Sequence, residues 1–504
     1  MDVLNRNYLI QHDQIPTSYW NAPERVLQFG TGVLLRGLCD CVIDEGNKKG
    51  IFEGRIVVVK STSQGSLEAF EQQDNVYTLC MRGRQNGSVS ESFQRVGAIS
   101  RVIDATLDWS AVLQLAQSPD LEIVLSNTTE MGLRLEEKDS ILENPPHSFP
   151  AKLLAVLHTR YQAFQGDPTK GLVVLPTELI DHNGHVLRQL LVTLANRLGL
   201  DLEFIKWLNE ANYFCDTLVD RIVSGTPAPA ISAKWQDQLG YKDSLLIVSE
   251  PYLLWAIEGN EQLAHKIQFA KAHPGVIIQE DISLFRTLKL RLLNAFHTIN
   301  CGLAWLCGFT TVYEAASEAW FGYFMEKMLH RELIPALPDA IDREQAKDFA
   351  DKVLERFKNP FLNHHWLDIS FQYTTKMQTR CVPLLQSYID KQGKLPTSFV
   401  FGMAGFIYFM RIKGQDEKGW FGHFSGKRYY LRDDFAPRWY EIWNLNDLSE
   451  VVRAFLAEQS FWLGTSFDFP GLEERLVGFL SQIQDKEENL LRVLAQNEAD
   501  ANTH

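Results

Sequence analysis

Lys289, Asn294 and His297 stand within nine residues, Lys289-Leu-Arg-Leu-Leu-Asn294-Ala-Phe-His297, in a stretch whose apolar spacing predicts a helix. At about 100° per residue, Asn294 and His297 lie roughly 140° and 80° around the axis from Lys289, so the three polar groups share a side with Leu290 and Leu293. Burial against apolar side chains disfavours the ammonium form of a lysine and fits it to give and take protons near neutral pH. An amide beside it can hydrogen-bond a carbonyl or alkoxide oxygen, and an imidazole can orient or relay. The set suits proton transfer at a substrate oxygen. Taken alone, three polar residues on a helix also describe an ordinary solvated face.

A second constellation precedes it. Val26-Leu-Gln-Phe-Gly-Thr-Gly-Val-Leu-Leu-Arg-Gly37 reads as strand, tight turn and helix. Gly30 can take a conformation closed to other residues, Gly32 lets a pyrophosphate approach the backbone, and the helix behind them offers free N–H groups and its positive dipole end. Gln28, Phe29, Gly30, Thr31, Gly32, Val33, Leu34, Leu35 and Arg36 are therefore the expected cofactor-binding segment. Leu35 occupies the place of the third glycine of G-x-G-x-x-G, and a G-x-G alone also fits a plain strand–helix turn. The next strand ends Val59-Lys60-Ser61-Thr62, without the acid that binds the ribose of NAD. The motif by itself does not choose NAD over NADP, and Lys60 faces either a 2′-phosphate or solvent.

The elements that must position these groups change character along the chain. Three nearly continuous apolar runs, at residues 25–29, 55–59 and 121–125, resemble strands buried on both faces of a parallel sheet, and helical stretches at 34–48 and 107–116 lie between them. Further strands are expected at 171–175 and 244–248, and loops at 143–150 and 225–229. Beyond residue 280 helical periodicity dominates, strands are nearly absent, and residues 485–504 read as a terminal helix with a loose end. The expected fold is an α/β Rossmann-type N-terminal domain, residues 1–280, followed by a mostly α-helical substrate and catalytic domain, residues 281–504.

Composition narrows the class. The 504 residues carry 63 acids against 49 Lys and Arg, a net charge of −14, which repels phosphate backbones and anionic lipid; no nucleic-acid or membrane partner is expected. The seven cysteines are odd in number and lack zinc-ligand spacing, so no metal is expected and buried reduced thiols in a cytoplasmic protein are. Neither a signal-peptide core nor an 18-residue apolar run is present.

Lys-x-x-x-x-Asn-x-x-His is the signature of the polyol-specific long-chain dehydrogenases, the mannitol dehydrogenase family, and the chain resembles that family in further motifs that keep its order. They are Gly30-Thr-Gly32 with Arg36, Ser126-Asn-Thr-Thr-Glu-Met-Gly132, Thr217-Leu-Val-Asp-Arg-Ile222 and Glu250-Pro-Tyr-Leu-Leu-Trp255. Val26 to Gly37, Leu175-Pro-Thr-Glu-Leu-Ile180 and Tyr373-Thr-Thr-Lys-Met377 resemble most the branch that interconverts D-tagaturonate and D-altronate in hexuronate (galacturonate) catabolism. The resemblance implies an NAD(P)-dependent oxidoreductase acting on a CH–OH group by hydride transfer, with Lys289 as acid and base, Asn294 binding the reacting oxygen and His297 supporting both. Its small-molecule partners would be a sugar acid and a nicotinamide cofactor, which the resemblance implies is NAD, with NADP not excluded.

Two departures from the family pattern stand out. Glu178 takes the place of an Asn of the mannitol dehydrogenases and is expected to hold substrate hydroxyls or to perturb Lys289. Arg286 replaces a Glu three residues before the lysine. A uronate needs a cation for its carboxylate, and Arg286, Lys376 and Arg380 are the candidates, each of which also fits a surface or structural role. Family neighbours acting on fructuronate or mannitol are the alternatives, and a non-catalytic nucleotide-binding sensor is the rival from another class. That rival is expected to have lost Lys289, Asn294 or His297, and all three are present.

Overall fold

Six short strands form the central sheet of the N-terminal half: β1 (Glu24–Phe29), β2 (Arg55–Lys60), β3 (Ile99–Asp104), β4 (Ile123–Ser126), β5 (Val173–Pro176) and β6 (Tyr213–Phe214). The structure is a computed structural model that describes every residue except 64, 129–131, 446, 463–466, 468, 486–489 and 491–504. Three residues of the Ser126–Gly132 motif and nearly all of the expected terminal segment 485–504 thus lie outside the described residues. All neighbouring strands are parallel, in the order β3-β2-β1-β4-β5-β6.

The apolar runs explain this sheet. Val26, Ile56, Val58, Ile123, Leu125, Val173 and Leu175 enter one core, while Leu27, Phe29, Val57, Val59, Val124 and Val174 enter another. Successive side chains point to opposite faces, so a strand covered on both sides must be apolar at nearly every position. Phe29 is level with Val59 of β2 and Ser126 of β4, which brings three strand ends to one edge. The strand order reverses between β1 and β4, and the Gly30–Gly32 turn leaves the sheet at that switch point, where open α/β sheets place their ligands.

Two strand groups differ from the sequence reading. Tyr77–Gln85 and Ser88–Val96 are sheet neighbours linked by Asn86 and Gly87, both at positive φ (53° and 77°), and Ile247–Ser249 pairs parallel to the first of them in a separate sheet. In the second half, where strands were expected to be nearly absent, Ile412–Asp416, Gly419–Phe424 and Lys427–Leu431 form an antiparallel meander. Its short strands turn at Gly419 and at Ser425-Gly426, which are at positive φ.

The chain divides into two compact units, one holding Met1–Gln85 and Val89–Ser283, the other Asn86–Ser88 and the chain from Leu284. The second is built around the long helix of residues 283–306, which runs as Ser283–Leu288, a π turn Lys289–Asn294, and Ala295–Leu306. Its C-terminal half packs closely on Thr397–Phe409 through glycines: a Cβ on Gly302 would lie 2.8 Å from the Gly405 carbonyl, and one on Gly402 would lie 2.9 Å from that of Ile299. Tyr373 Oη accepts the Gly302 N–H at 2.8 Å. The lysine-bearing helix is thus a fixed, buried axle of its unit. All seven cysteines are free, six of them buried. Among the described residues no helix is long and apolar enough to cross a membrane.

Candidate active site

The turn after β1 is shaped by two glycines with different demands. Gly30 sits at φ +122°, a region strained for any side chain, and its N–H donates to Val59 O at 3.0 Å. Gly32 is at φ −62° and ψ 151°, which any residue can adopt, and a Cβ there would meet nothing within 4 Å. Nothing in the protein itself requires glycine at 32. The open space lies at the start of helix α1 (residues 33–48), whose Gly32 N-cap supplies no side-chain hydrogen bond to the first amides. Free N–H groups, the positive dipole end and an unfilled cradle fit a pyrophosphate.

The segment expected to bind cofactor divides in two. Thr31, Gly32, Val33 and Leu34 are accessible, whereas the side chains of Gln28, Phe29, Leu35 and Arg36 are buried. Gln28 Nε2 donates to Gly30 O at 3.2 Å and to Asp40 Oδ2 at 3.3 Å, holding the turn from behind. Arg36 corrects the sequence reading. Its Nη1 donates to Leu245 O at 2.9 Å and the guanidinium lies over the rings of Phe70 and Tyr77, so it anchors the helix to the interior.

Asp40 gives this support a pH dependence. Its side chain is fully buried, and Asp40 Oδ1 and Gln28 Oε1 have no hydrogen-bond partner among the described residues. Burial pushes the carboxyl up to about 7, against the opposing pull of the Gln28 amide and the Arg36 charge. An unfolded aspartate ionises near 3.9, so between about pH 4 and pH 7 the folded chain keeps a proton that the unfolded chain releases. Stability from this group therefore falls as pH rises through that window, by up to about 4 kcal/mol. We expect Asp40→Asn, whose amide can donate to Gln28 Oε1, to unfold at a higher temperature than wild type at about pH 8 and to lose that advantage near pH 4. Identical melting curves at both pH values would contradict this reading.

Lys60, read above as facing a phosphate or solvent, is already paired within the sheet. Its Nζ is 2.6 Å from Asp104 Oδ2, and the side chains are only 7% and 15% exposed. Glu178 is likewise engaged within the first unit. It is buried, Oε1 accepts from Thr128 N at 2.9 Å and Thr128 Oγ1 at 3.2 Å, and Oε2 accepts from Ser126 Oγ at 3.2 Å. Burial raises its carboxyl above the ordinary range in spite of these donors. The structure thus shows Glu178 tying the ends of β4 and β5 together, rather than presenting free oxygens to sugar hydroxyls.

The π turn is the feature of the second unit that sequence periodicity hides. The Ala295 N–H donates to Leu290 O, five residues back, where an α-helix would reach four. One wider turn therefore separates Lys289 from Asn294, and most of the expected 140° offset disappears. Lys289, Asn294 and His297 are all half-buried. Leu288, Leu292 and Leu293 are buried in the core behind them.

A second π turn, Met377–Cys381, packs against the first. Arg291 Nη1 donates to Arg380 O at 2.9 Å, Cys381 Sγ lies 3.6 Å from Ala295 O, and Thr298 Oγ1 donates to Asn294 O at 2.8 Å while making a long 3.5 Å contact with Arg380 Nη1. Lys376 Nζ donates to Ile369 O at 2.9 Å and lies 5.9 Å from the Phe371 ring centre. Burial, and then the neighbouring Arg380 charge, lower the Lys376 ammonium below its usual range. The His297 ring sits 4.1 Å from Phe357 and 5.0 Å from His364, centre to centre. Burial foremost, and then His364, Arg356 and Arg380, hold this imidazole well below its ordinary value, so it is neutral at physiological pH. The second unit thus gathers the lysine, asparagine and histidine with Lys376 and Arg380. Arg286 is half-buried one turn before Lys289 on the same helix.

Arg291 and His364 were not singled out from sequence. Arg291 reads as one more helix cation, and only the paired π turns reveal its role. His364 lies 67 positions from His297, a contact with no local signal.

Both halves of the chain have counterparts among known proteins. Residues 24–271 match the mannitol dehydrogenase Rossmann domain and residues 281–464 the mannitol dehydrogenase C-terminal domain. The chain is 35% identical over 489 residues to the altronate oxidoreductase of Bacillus subtilis (strain 168), covering 96% of each chain. It is 36% identical over 469 residues to that of Klebsiella pneumoniae (strain 342), covering 92% of this chain and 94% of the relative. Its fold is that of a substrate-free D-sorbitol dehydrogenase (TM-score 0.77, 22% identity, 97% and 99% coverage). It is also that of Pseudomonas fluorescens mannitol 2-dehydrogenase in a ternary complex with NAD and D-mannitol (TM-score 0.67, 20% identity, 98% and 99% coverage). The chain belongs to the mannitol dehydrogenase family and is a dehydrogenase acting on a CH–OH group.

Proposed function

We propose that this protein is an NADH-dependent uronate reductase of the cytoplasm that interconverts D-tagaturonate and D-altronate in hexuronate breakdown. The observation that carries the reading is the pair Lys376 and Arg380, two half-buried cations close enough for one to disfavour the other's charge. Neither has a carboxylate partner among the described residues. Like charges gathered in a poorly solvated place are costly unless an anion joins them. A substrate carboxylate supplies that anion, and a neutral polyol does not. Relatives named altronate oxidoreductase over 96% of the chain support the same substrate class.

The nicotinamide, when bound, supplies the hydride in reduction and accepts it in oxidation. Gly32 and the amides that open helix α1 hold the pyrophosphate, and Gln28 and Arg36 keep that turn in place. Lys289 gives its proton to the carbonyl oxygen as the C–H bond forms, and takes the hydroxyl proton in the reverse direction. Asn294, one π turn along, donates its amide hydrogen bond to the same oxygen as negative charge develops. His297 stays neutral and orients its neighbours without adding a competing charge. Arg291 fixes the Arg380 backbone to the lysine helix and so sets the spacing between the carboxylate site and the proton donor.

The test is a matrix of initial rates, with D-tagaturonate, D-fructuronate and D-fructose each offered with NADH and NADPH. We expect the highest kcat/KM with D-tagaturonate and NADH, and a neutral ketose at least about a hundredfold poorer, the scale of losing a charge-assisted contact of 2–3 kcal/mol. Preference for D-fructose would overturn the uronate reading. Preference for D-fructuronate would preserve the class and move the protein to another branch of the family.

A further inference from the structure

We infer that the Lys60–Asp104 ion pair is the element that selects between NADH and NADPH, and that it does so by excluding the 2′-phosphate. The inference rests on the nicotinamide reading above and concerns the same nucleotide site.

The placement follows from the sheet. The Gly30 N–H donates to Val59 O, so Lys60 is the next residue along β2 from the one that pins the glycine turn. Lys60 O in turn accepts the Ala105 N–H at 3.0 Å, which sets the end of β3 beside it. In this topology the end of the second strand is where the adenosine ribose is recognised, usually by an acid borne on that strand. Here β2 brings a cation, and the acid comes from the neighbouring strand, 44 residues away.

The pair is built to stay closed. Asp104 Oδ2 takes Lys60 Nζ at 2.6 Å, while Oδ1 accepts both the Thr106 N–H at 3.0 Å and Thr106 Oγ1 at 2.6 Å. The carboxylate is therefore oriented by its own turn, and the lysine reaches to it. A ribose 2′-hydroxyl meets a neutral pair that still has ammonium hydrogens to donate and carboxylate lone pairs to accept. A 2′-phosphate carries about −1.5 to −2 charges at neutral pH and meets a carboxylate whose cation is already engaged. It must break a mostly buried ion pair or sit against a like charge. Rejection of the wrong cofactor thus comes from a repulsive group held in place by a cation that would otherwise attract it.

Binding distinguishes this from a merely structural salt bridge. NADH and NADPH are titrated separately against the full-length wild type, Asp104→Asn and Lys60→Met by fluorescence, with thermal melts of each protein alongside. Wild type should bind NADH more tightly. Asp104→Asn frees the ammonium and should gain NADPH affinity by on the order of tenfold, with NADH affinity changing far less. Lys60→Met leaves the carboxylate unopposed and should lose NADPH affinity further, and adding it to Asp104→Asn should cancel the gain. An NADPH-to-NADH affinity ratio in Asp104→Asn within twofold of wild type would overturn the inference, as would a gain of NADPH affinity in Lys60→Met. Should Asp104→Asn fail to fold, Lys60→Met alone decides between these outcomes. Failure of wild type to bind either dinucleotide is a separate result that overturns the nicotinamide reading itself.

Discussion

Lys289→Ala should lower turnover in both directions by roughly 10²–10⁴-fold, the range seen when general acid–base catalysis is lost, while NADH binding stays within about twofold of wild type. The side chain is only half-buried and stands on a helix fixed from behind by Leu288, Leu292 and the glycine contacts of residues 302, 402 and 405, so the variant should fold. In the intact enzyme, oxidation needs the neutral amine and reduction the ammonium. Oxidation rates should therefore rise with pH, and reduction rates fall. The Ala variant should lose both limbs, and a small added primary amine should restore part of its rate. A variant that keeps most of its turnover would remove Lys289 from the chemistry and leave water or His297 as the proton source. The structure disfavours the second of these, because burial and three neighbouring cationic or titratable groups keep His297 from holding a proton.

The second large effect belongs to Gly32. Gly32→Val should weaken NADH by on the order of a hundredfold or more, because the side chain fills the space in which the pyrophosphate meets the backbone. The backbone angles there suit valine, and no protein atom lies within 4 Å of the new Cβ, so the melting temperature should stay within a few degrees of wild type. A stable variant with unchanged NADH affinity would show that the turn is only a connection between strand and helix. Gly30→Val offers no such separation, since the positive φ makes the fold itself suffer.

What could be read in advance follows a physical division. Strands β1, β2 and β4 were legible because burial on two faces demands unbroken apolar runs, and the glycine turn was legible because its chemistry is local. The hairpin at 77–96 was missed although Asn86-Gly87 is a strong two-residue turn signal, since its second strand alternates with exposed Ser and Glu and reads as polar. The meander at 412–431 was missed for a related reason: Gly414, Gly419 and Gly422 dilute the strand signal, while the helix before it, Thr397–Phe409, is long and apolar. The π turn at Lys289–Asn294 cannot be seen in a 3.6-residue pattern, because one widened turn leaves the apolar residues on nearly the same face. Spacing puts Lys289, Asn294 and His297 on one helix, but it does not give their alignment across the π turn. The partners that give Lys60, Arg36 and Glu178 their roles come from distant parts of the chain, at separations of 44, 209 and about 50 residues, and no local pattern encodes them.

The most direct measurement runs the reaction from the alcohol side. The full-length protein is incubated with D-altronate and NAD⁺, NADH is followed by its absorbance, and the sugar product is identified by mass and by comparison with D-tagaturonate. The account predicts NADH and D-tagaturonate in equal amounts, with D-mannitol giving no comparable rate. Formation of NADH from D-mannitol but not from D-altronate, or no NADH from either, would contradict it.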